Sequence, residues 1–309
     1  MFNVSKGRDG RKAEVISKDD VSDTIYTLLV KKDLTACEKW LSLPILDLLD
    51  KTCLTLSKLK EIKNIAARKL CPEIHIASQQ SSDLKTSVLS FGSRKLDSTF
   101  GNLLSAGKML EVWGSAGSGK TQLALQMCSA LSPSHYSAYI STEGTISTSR
   151  LFDMCSARGL HKAHCDIQVC STVDSFEECV MRQLPLLIAT KPVKLVIIDS
   201  IAAPFRCGEV EGGGVKRAQR IRAIGQQLKY LASANSILVV VLNQATASPT
   251  LGPQPALGLT WSYLINSRLR IQKLEYDPEV GSRRVTVERG SCIKSGTFVD
   301  CVIKKEGLL

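Results

Sequence analysis

Residues 111–127 read EVWGSAGSGKTQLALQM. Within them Gly114 is followed by four residues and then by Gly119, Lys120 and Thr121, the full G-x-x-x-x-G-K-[ST] signature of a phosphate-binding loop. The apolar run Leu110 to Trp113 in front reads as a buried strand, and the stretch behind reads as an amphipathic helix, which is the context the signature needs. Glycines let the backbone N–H groups of Gly114, Ser115, Ala116, Gly117, Ser118 and Gly119 curl around phosphates, and Lys120 adds a point charge at the β and γ positions. Thr121 offers a hydroxyl to Mg2+ at a helix N-terminus, with Gln122 beside it in the same turn. The alternative is a glycine-rich turn with a purely structural role, which neither the strand before nor the helix after requires. ATP and Mg2+ are therefore the expected ligands.

Working outward, short β-rich runs alternate with helical stretches from Gly92 onward. Strands are predicted at Leu110 to Trp113, Ser137 to Ser141, Asp166 to Cys170, Leu195 to Asp199 and Ile237 to Leu242. Such alternation implies right-handed crossovers and a mostly parallel sheet covered on both faces, so the fold class is α/β. LVIID and ILVVVL, apolar at consecutive positions, suit central strands. The runs Leu269 to Leu274, Arg283 to Glu288 and Phe298 to Ile303 read as antiparallel strands extending that sheet. Asp199, closing the buried run KLVIIDS, stands where a phosphate loop expects a second residue for its metal shell. Glu143, at the end of AYISTEGT, is the candidate to orient the attacking water; the alternative is that it caps the following helix.

The blocks GSAGSGKTQLALQ, YISTEGTISTSRL, LVIIDSIAAPFR and VVVLNQAT, in this order, resemble the RecA-type recombinases of eukaryotes and their paralogues, over most of the chain. The resemblance implies a RecA-type ATPase core with a small N-terminal helical domain. It further implies that Arg150 stacks on the adenine, that Gln244 senses the γ-phosphate, and that Gln244 joins Glu143 and Lys120 as catalytic. An amide can bond either a phosphate or a neighbour, which suits a two-setting sensor, although Gln244 can also be read as a satisfied strand-end amide. It implies an obligate hetero-oligomer with another RecA-type paralogue, action on single-stranded or branched DNA, and a nuclear location.

The resemblance places two DNA-facing loops at about 206–216, RCGEVEGGGVK, and 245–258, ATASPTLGPQPALG. The first carries Glu209 and Glu211, and the second has neither charge nor aromatic ring, whereas single-strand binders combine basic grooves with stacking rings. Candidate DNA contacts are instead Arg206 and the run KRAQRIR, with Lys216, Arg217, Arg220 and Arg222; the alternative is a solvated helix face.

Residues 1–72 read as the small helical domain, from the spacing in DTIYTLLVKKDL and SLPILDLLDKTCLTLSKLKEIKNIAARKL, without the glycine turn of a DNA-binding helical hairpin. Residues 73–88 read as a linker and 89–309 as the ATPase core. Ile74 and Ala77 lie at the spacing of the family's Phe-x-x-A tether, by which one subunit adds an edge strand to its neighbour; bare linker is the other reading.

The chain has 309 residues and a formal charge of +11. That balance favours a polyanionic partner such as nucleic acid. The sequence lacks the roughly 18 consecutive apolar residues of a membrane helix and begins with a polar stretch, so a soluble intracellular protein is expected, with no membrane partner. Its 11 cysteines show no C-x-x-C pair, and Cys155, His161, His164, Cys165 and Cys170 follow no paired zinc spacing, so buried thiols are expected. A recombination ATPase leads; a scaffold with a structural nucleotide and a hexameric helicase are the rivals.

Overall fold

The apolar run ahead of the phosphate loop forms β1, Met109–Gly114, buried at every residue. The computed structural model describes residues 14–70, 89–160, 163–206, 213–247, 252–274 and 281–309. Two compact units, Met1–Leu84 and Lys85–Leu309, make up the chain.

In the first unit four helices, α1 (Asp23–Lys31), α2 (Cys37–Ser42), α3 (Ile45–Thr52) and α4 (Leu56–Leu70), close around a core of their own. Leu29, Leu34, Cys37, Trp40, Leu48, Leu59, Ile62 and Ala66 are buried together there. The Trp40 indole donates to the Leu34 carbonyl at 2.7 Å, so its polar edge is satisfied inside that core. Between α3 and α4 the left-handed position, where glycine costs least, is taken by Cys53 at φ 53°.

The second unit is a twisted sheet with helices on both faces. Its further strands are β2 (Tyr136–Ser141), β3 (Cys165–Val169), β4 (Val193–Asp199), β5 (Leu238–Thr246), β6 (Gln254–Pro255), β7 (Ser267–Lys273), β8 (Ser282–Arg289), β9 (Phe298–Lys304) and β10 (Gly307–Leu308). The helices are α5 (Arg94–Phe100), α6 (Lys120–Ala130), α7 (Thr148–Ala157), α8 (Val173–Glu178), α9 (Leu184–Thr190), α10 (Gly213–Asn235) and α11 (Gly258–Ser262). A π-helical turn, Cys179–Gln183, joins α8 to α9. Strand order is β10-β9-β8-β7-β1-β5-β4-β2-β3, and β6 pairs β5.

Strand residues alternate between the two faces. Leu195, Ile197, Leu238, Val240 and Leu242 pack on one side with α6, whereas Val196, Ile198, Val239 and Val241 pack on the other with α10. One expectation needs correcting. The first of the three C-terminal runs, β7, pairs parallel with β1, with Leu110 opposite Ser267 and Trp113 opposite Arg270. On this side of the sheet antiparallel pairing begins at β7–β8 and continues at β8–β9 and β9–β10. The segment containing α11 carries the chain back across the sheet, so β7 enters in the same direction as β1.

The C-terminal strand is bolted to the helix that follows the phosphate loop. Fully buried Gln126 donates to the Leu308 carbonyl at 3.1 Å and accepts from the Leu308 amide at 2.6 Å. Among the described residues no helix is long and apolar enough to cross a membrane.

Candidate functional site

The loop 114–119 turns between β1 and α6, and its geometry depends on missing side chains. A Cβ on Gly114 would sit 2.2 Å from the carbonyl oxygen of Ile271 on β7, and Gly119, at φ 111°, turns the chain into α6. The first turn of α6 leaves N–H groups without helical acceptors, a positive end suited to phosphate. Lys120 Nζ donates to the carbonyls of Gly114 and Ser115, both at 2.9 Å, which draws the ammonium across the loop mouth. Arg283, from β8, supports the loop from outside by donating to the Ser118 carbonyl at 2.8 Å.

Beside the loop, Thr121 Oγ1 donates to Asp199 Oδ2 at 2.8 Å. The same oxygen accepts from the Tyr139 hydroxyl at 2.6 Å, a neighbour in β2 that the sequence reading missed. Burial pushes the Asp199 carboxyl above its ordinary range; the bonds from Tyr139 and Thr121 oppose that shift and nearby Glu143 adds to it. Burial pulls the Lys120 ammonium down, against the pull of Asp199 and Glu143.

Glu143, just past β2, comes together with residues from β4 and β5. Its Oε1 accepts from Ser200 Oγ at 2.6 Å, from Gln244 Nε2, and from Arg206 Nη2 at 3.2 Å. The helix-cap reading of Glu143 fails, because Ser147 caps α7 by accepting from the Arg150 amide. Gln244, near the end of β5, is satisfied at both polar ends, as the strand-end alternative expects: it bonds Glu143 through nitrogen and Arg206 through oxygen.

Arg150 and Gln122 meet: Arg150 Nε donates to Gln122 Oε1 at 2.7 Å. The other guanidinium nitrogens donate to the carbonyls of Lys304 and Lys305, at 2.7 and 2.8 Å. The end of β9 and the turn after it thereby fix the side chain expected at the base.

Two residues expected at DNA are engaged by side chains of the chain itself. Arg206 faces Glu143 and Gln244, and Arg220 faces Glu177 at 2.6 Å and Asp174 at 2.5 Å. Each guanidinium is neutralised by a carboxylate distant in sequence, which a count of charges along one helix cannot reveal. Lys216, Arg217 and Arg222 are exposed on α10. Ile74, Ala77, His161, most of the first loop and part of the second lie outside the described residues. No group of three or more His, Cys, Asp or Glu among the described residues could hold a metal ion.

Beneath the site lies a carboxylate the sequence reading also missed. Glu111, fully buried in β1, accepts from Asn243 Nδ2 at 2.7 Å, Trp261 Nε1 at 2.9 Å and Arg268 Nε at 2.5 Å. Asn243 Oδ1 in turn accepts from the Gln244 amide at 2.8 Å. A lone acid in the apolar run EVW was the available signal.

The Rad51 family model matches residues 84–256, more than half of the chain. The chain belongs to the Rad51 family. Among the relatives of this Rad51-family chain, the cattle DNA repair protein XRCC3 is 32% identical over 232 residues, 65% of this chain and 67% of that protein. The mouse XRCC3 match spans 64% of that protein. The DNA repair and recombination protein RadB of Thermococcus kodakarensis is 33% identical over 225 residues, 72% of this chain and 98% of that protein. Human DNA repair protein RAD51 homolog 2 is 26% identical over 347 residues, 94% of this chain and 87% of that protein. A crystal structure of the RadB recombinase superposes with a TM-score of 0.58 at 31% identity, covering 71% of this chain and 98% of that one. This is a RecA-type paralogue similar to XRCC3, with a RecA-type α/β fold.

The donor set fits a nucleotide with Mg2+. Loop amides at a helix N-terminus and Lys120 suit a triphosphate, Thr121 and Asp199 suit the metal shell, and Gly114 leaves no room for a side chain that would displace the loop. A pH prediction follows. Asp199 takes up a proton at higher pH than an ordinary aspartate, and Lys120 loses one at lower pH than an ordinary lysine. Affinity for ATP with Mg2+ is expected to fall on the acid side above the usual 3.8 and on the alkaline side below the usual 10.5. Folding without ligand has the opposite sign for Asp199: a raised carboxyl pKa favours the folded state at low pH, and that contribution is lost as pH rises through it. Titrating fluorescent ATP analogue across pH reads the first, and urea unfolding across pH reads the second.

Proposed function

We propose that this chain binds ATP with Mg2+ and hydrolyses it in homologous-recombination DNA repair, assembled with another RecA-type paralogue and acting on single-stranded or branched DNA in the nucleus. The observation that carries the reading is the convergence of β1, β2, β4 and β5 on one site. Lys120 and the Thr121–Asp199 pair stand at the loop, and Glu143, just past β2, meets Gln244 of β5 across the end of β4. In this reading the loop amides and Lys120 hold the triphosphate, Thr121 and Asp199 hold the metal shell, Arg150 lies on the base, and Glu143 orients a water. Mg2+, when bound, supplies charge that neutralises the phosphate oxygens. The names of the relatives support the repair pathway. The charge of +11 supports a nucleic-acid partner. The edge position of β3 supports docking by an added strand from a neighbouring subunit.

Lys120→Ala tests this. ATP affinity is expected to fall by about tenfold to a hundredfold, because a charge-assisted bond to phosphate is lost, and turnover with it. The rival reading, a scaffold with a structural nucleotide, draws on the way Glu143 and Gln244 bond each other. It predicts equal, negligible turnover in wild type and Lys120→Ala, with loss of assembly in the variant. Steady-state ATPase measurements with co-purification of paralogues separate the two.

A further inference from the structure

Arg206 follows β4 by seven residues and stands immediately before 207–212. Its guanidinium turns onto the two polar side chains that end β2 and β5. Nη2 donates to Glu143 Oε1 and Nη1 donates to Gln244 Oε1, while Gln244 Nε2 donates to Glu143 Oε1. The result is a closed triangle. Both polar ends of Gln244 are used within it, and Glu143 Oε1 receives Ser200 Oγ as well. One of the two N–H groups of Gln244 is committed to Glu143, and the Glu143 oxygen that accepts it also takes the guanidinium and Ser200 Oγ, so the two side chains are held on each other.

The triangle is nonetheless open to solvent. The side chains of Arg206 and Glu143 are 46% and 42% exposed, so the ion pair is screened and cheap to exchange. A guanidinium offers five N–H donors in a fork that matches phosphate as well as carboxylate. Phosphate oxygens reaching Arg206 therefore compete for it on equal chemical terms.

We propose that Arg206 is a phosphate-responsive latch on the Glu143–Gln244 pair. Closed, it holds both side chains on each other; when a phosphate oxygen captures the guanidinium, Gln244 and Glu143 are freed to face the terminal phosphate of ATP and the attacking water. This rests on the ATPase reading above and adds what governs its rate. Arg206 is a positioning residue here, acting through Glu143 and Gln244. The phosphate comes from a polynucleotide backbone or from ATP itself, and the test has an arm for each.

The full chain is compared as wild type, Arg206→Gln and Arg206→Lys. Binding of a non-hydrolysable ATP analogue is measured first, since its absence in the wild type sinks the ATPase reading. Backbone hydrogen exchange at 142–146 and 243–247 then reads the latch directly, with the analogue, with oligothymidylate, and with both. Increased exchange with the analogue alone assigns the phosphate to ATP; increased exchange that requires oligothymidylate assigns it to the polynucleotide. In Arg206→Gln exchange is expected to be high from the outset, and ATP turnover without DNA to rise by about tenfold, the size of one lost charge-assisted bond. Arg206→Lys, a single ammonium without the fork, is expected to restore part of the closed pattern. A chain that binds the analogue yet shows unchanged exchange with either ligand overturns the latch alone. So does an Arg206→Gln variant that is slowed by the same factor in every condition, since that marks Arg206 as mere support for Glu143.

Discussion

Glu143→Gln is expected to lower ATP turnover by about a thousandfold while leaving nucleotide affinity within about threefold, because general-base positioning contributes on that scale and the substitution keeps the side chain's volume. The reason lies in which contacts survive. A glutamine carbonyl still accepts from Ser200 Oγ, where Glu143 now accepts at 2.6 Å, so the side chain keeps its anchor. In the proposed reading the grip on phosphate uses other groups: Lys120, the loop amides and the Thr121–Asp199 pair all stand without Glu143. What disappears is the charged acceptor that the proposed reading gives to the attacking water. The half-exposed position makes a folding effect small, within about half a kcal/mol. Single-turnover hydrolysis with saturating enzyme, beside titration of a fluorescent ATP analogue, reads both quantities. Turnover equal to wild type at unchanged affinity would remove Glu143 from the chemistry and leave the scaffold reading in its place.

Local pattern carried much of the fold. LVIID and ILVVVL are apolar at consecutive positions because both faces of β4 and β5 are covered, and their β-branched residues and short length suit a central strand. The glycine spacing of 114–119 is local in part, since Gly117 and Gly119 take positive φ within the loop, whereas Gly114 makes room for the Ile271 carbonyl on β7. The direction of β7 was not legible. SRLRIQK alternates with period two, and that period is the same in parallel and antiparallel pairs. Only the path of the preceding segment decides it. Partnerships across long stretches of sequence were hidden too. Arg220 reads as a free cation in KRAQRIR, yet its carboxylates lie on α8, in a different helix. Tyr139 reads as an ordinary strand residue in AYIS, although its hydroxyl closes on Asp199. Arg206 reads as a basic loop root until the sheet brings β2 and β5 beside it.

The second large effect concerns Glu111, where Glu111→Ala is expected to cost about 3–5 kcal/mol of folding stability, the cost of leaving a buried charge without its partner. Arg268 is 14% exposed and Glu111 wholly buried, so water cannot replace the carboxylate. Trp261 Nε1 and Asn243 Nδ2 lose the same acceptor. For a unit of this size the melting temperature falls by roughly 10 °C, measurable by calorimetry or by urea unfolding of the full chain. Pairing the change with Arg268→Met separates charge from packing. If the penalty is the orphaned guanidinium, the double variant is more stable than Glu111→Ala; if the single and double variants unfold alike, the cost is cavity and lost indole and amide bonds. The consequence for the site follows through Asn243, whose Oδ1 holds the Gln244 amide and whose Nδ2 bridges Glu111 to the Ala256 carbonyl. Freed from Glu111, Asn243 no longer fixes the end of β5, so Glu111→Ala is expected to slow ATP turnover even at temperatures where the fold is intact. A variant that melts early yet hydrolyses at the wild-type rate in the cold would show that β5 positions Gln244 without help from the buried carboxylate.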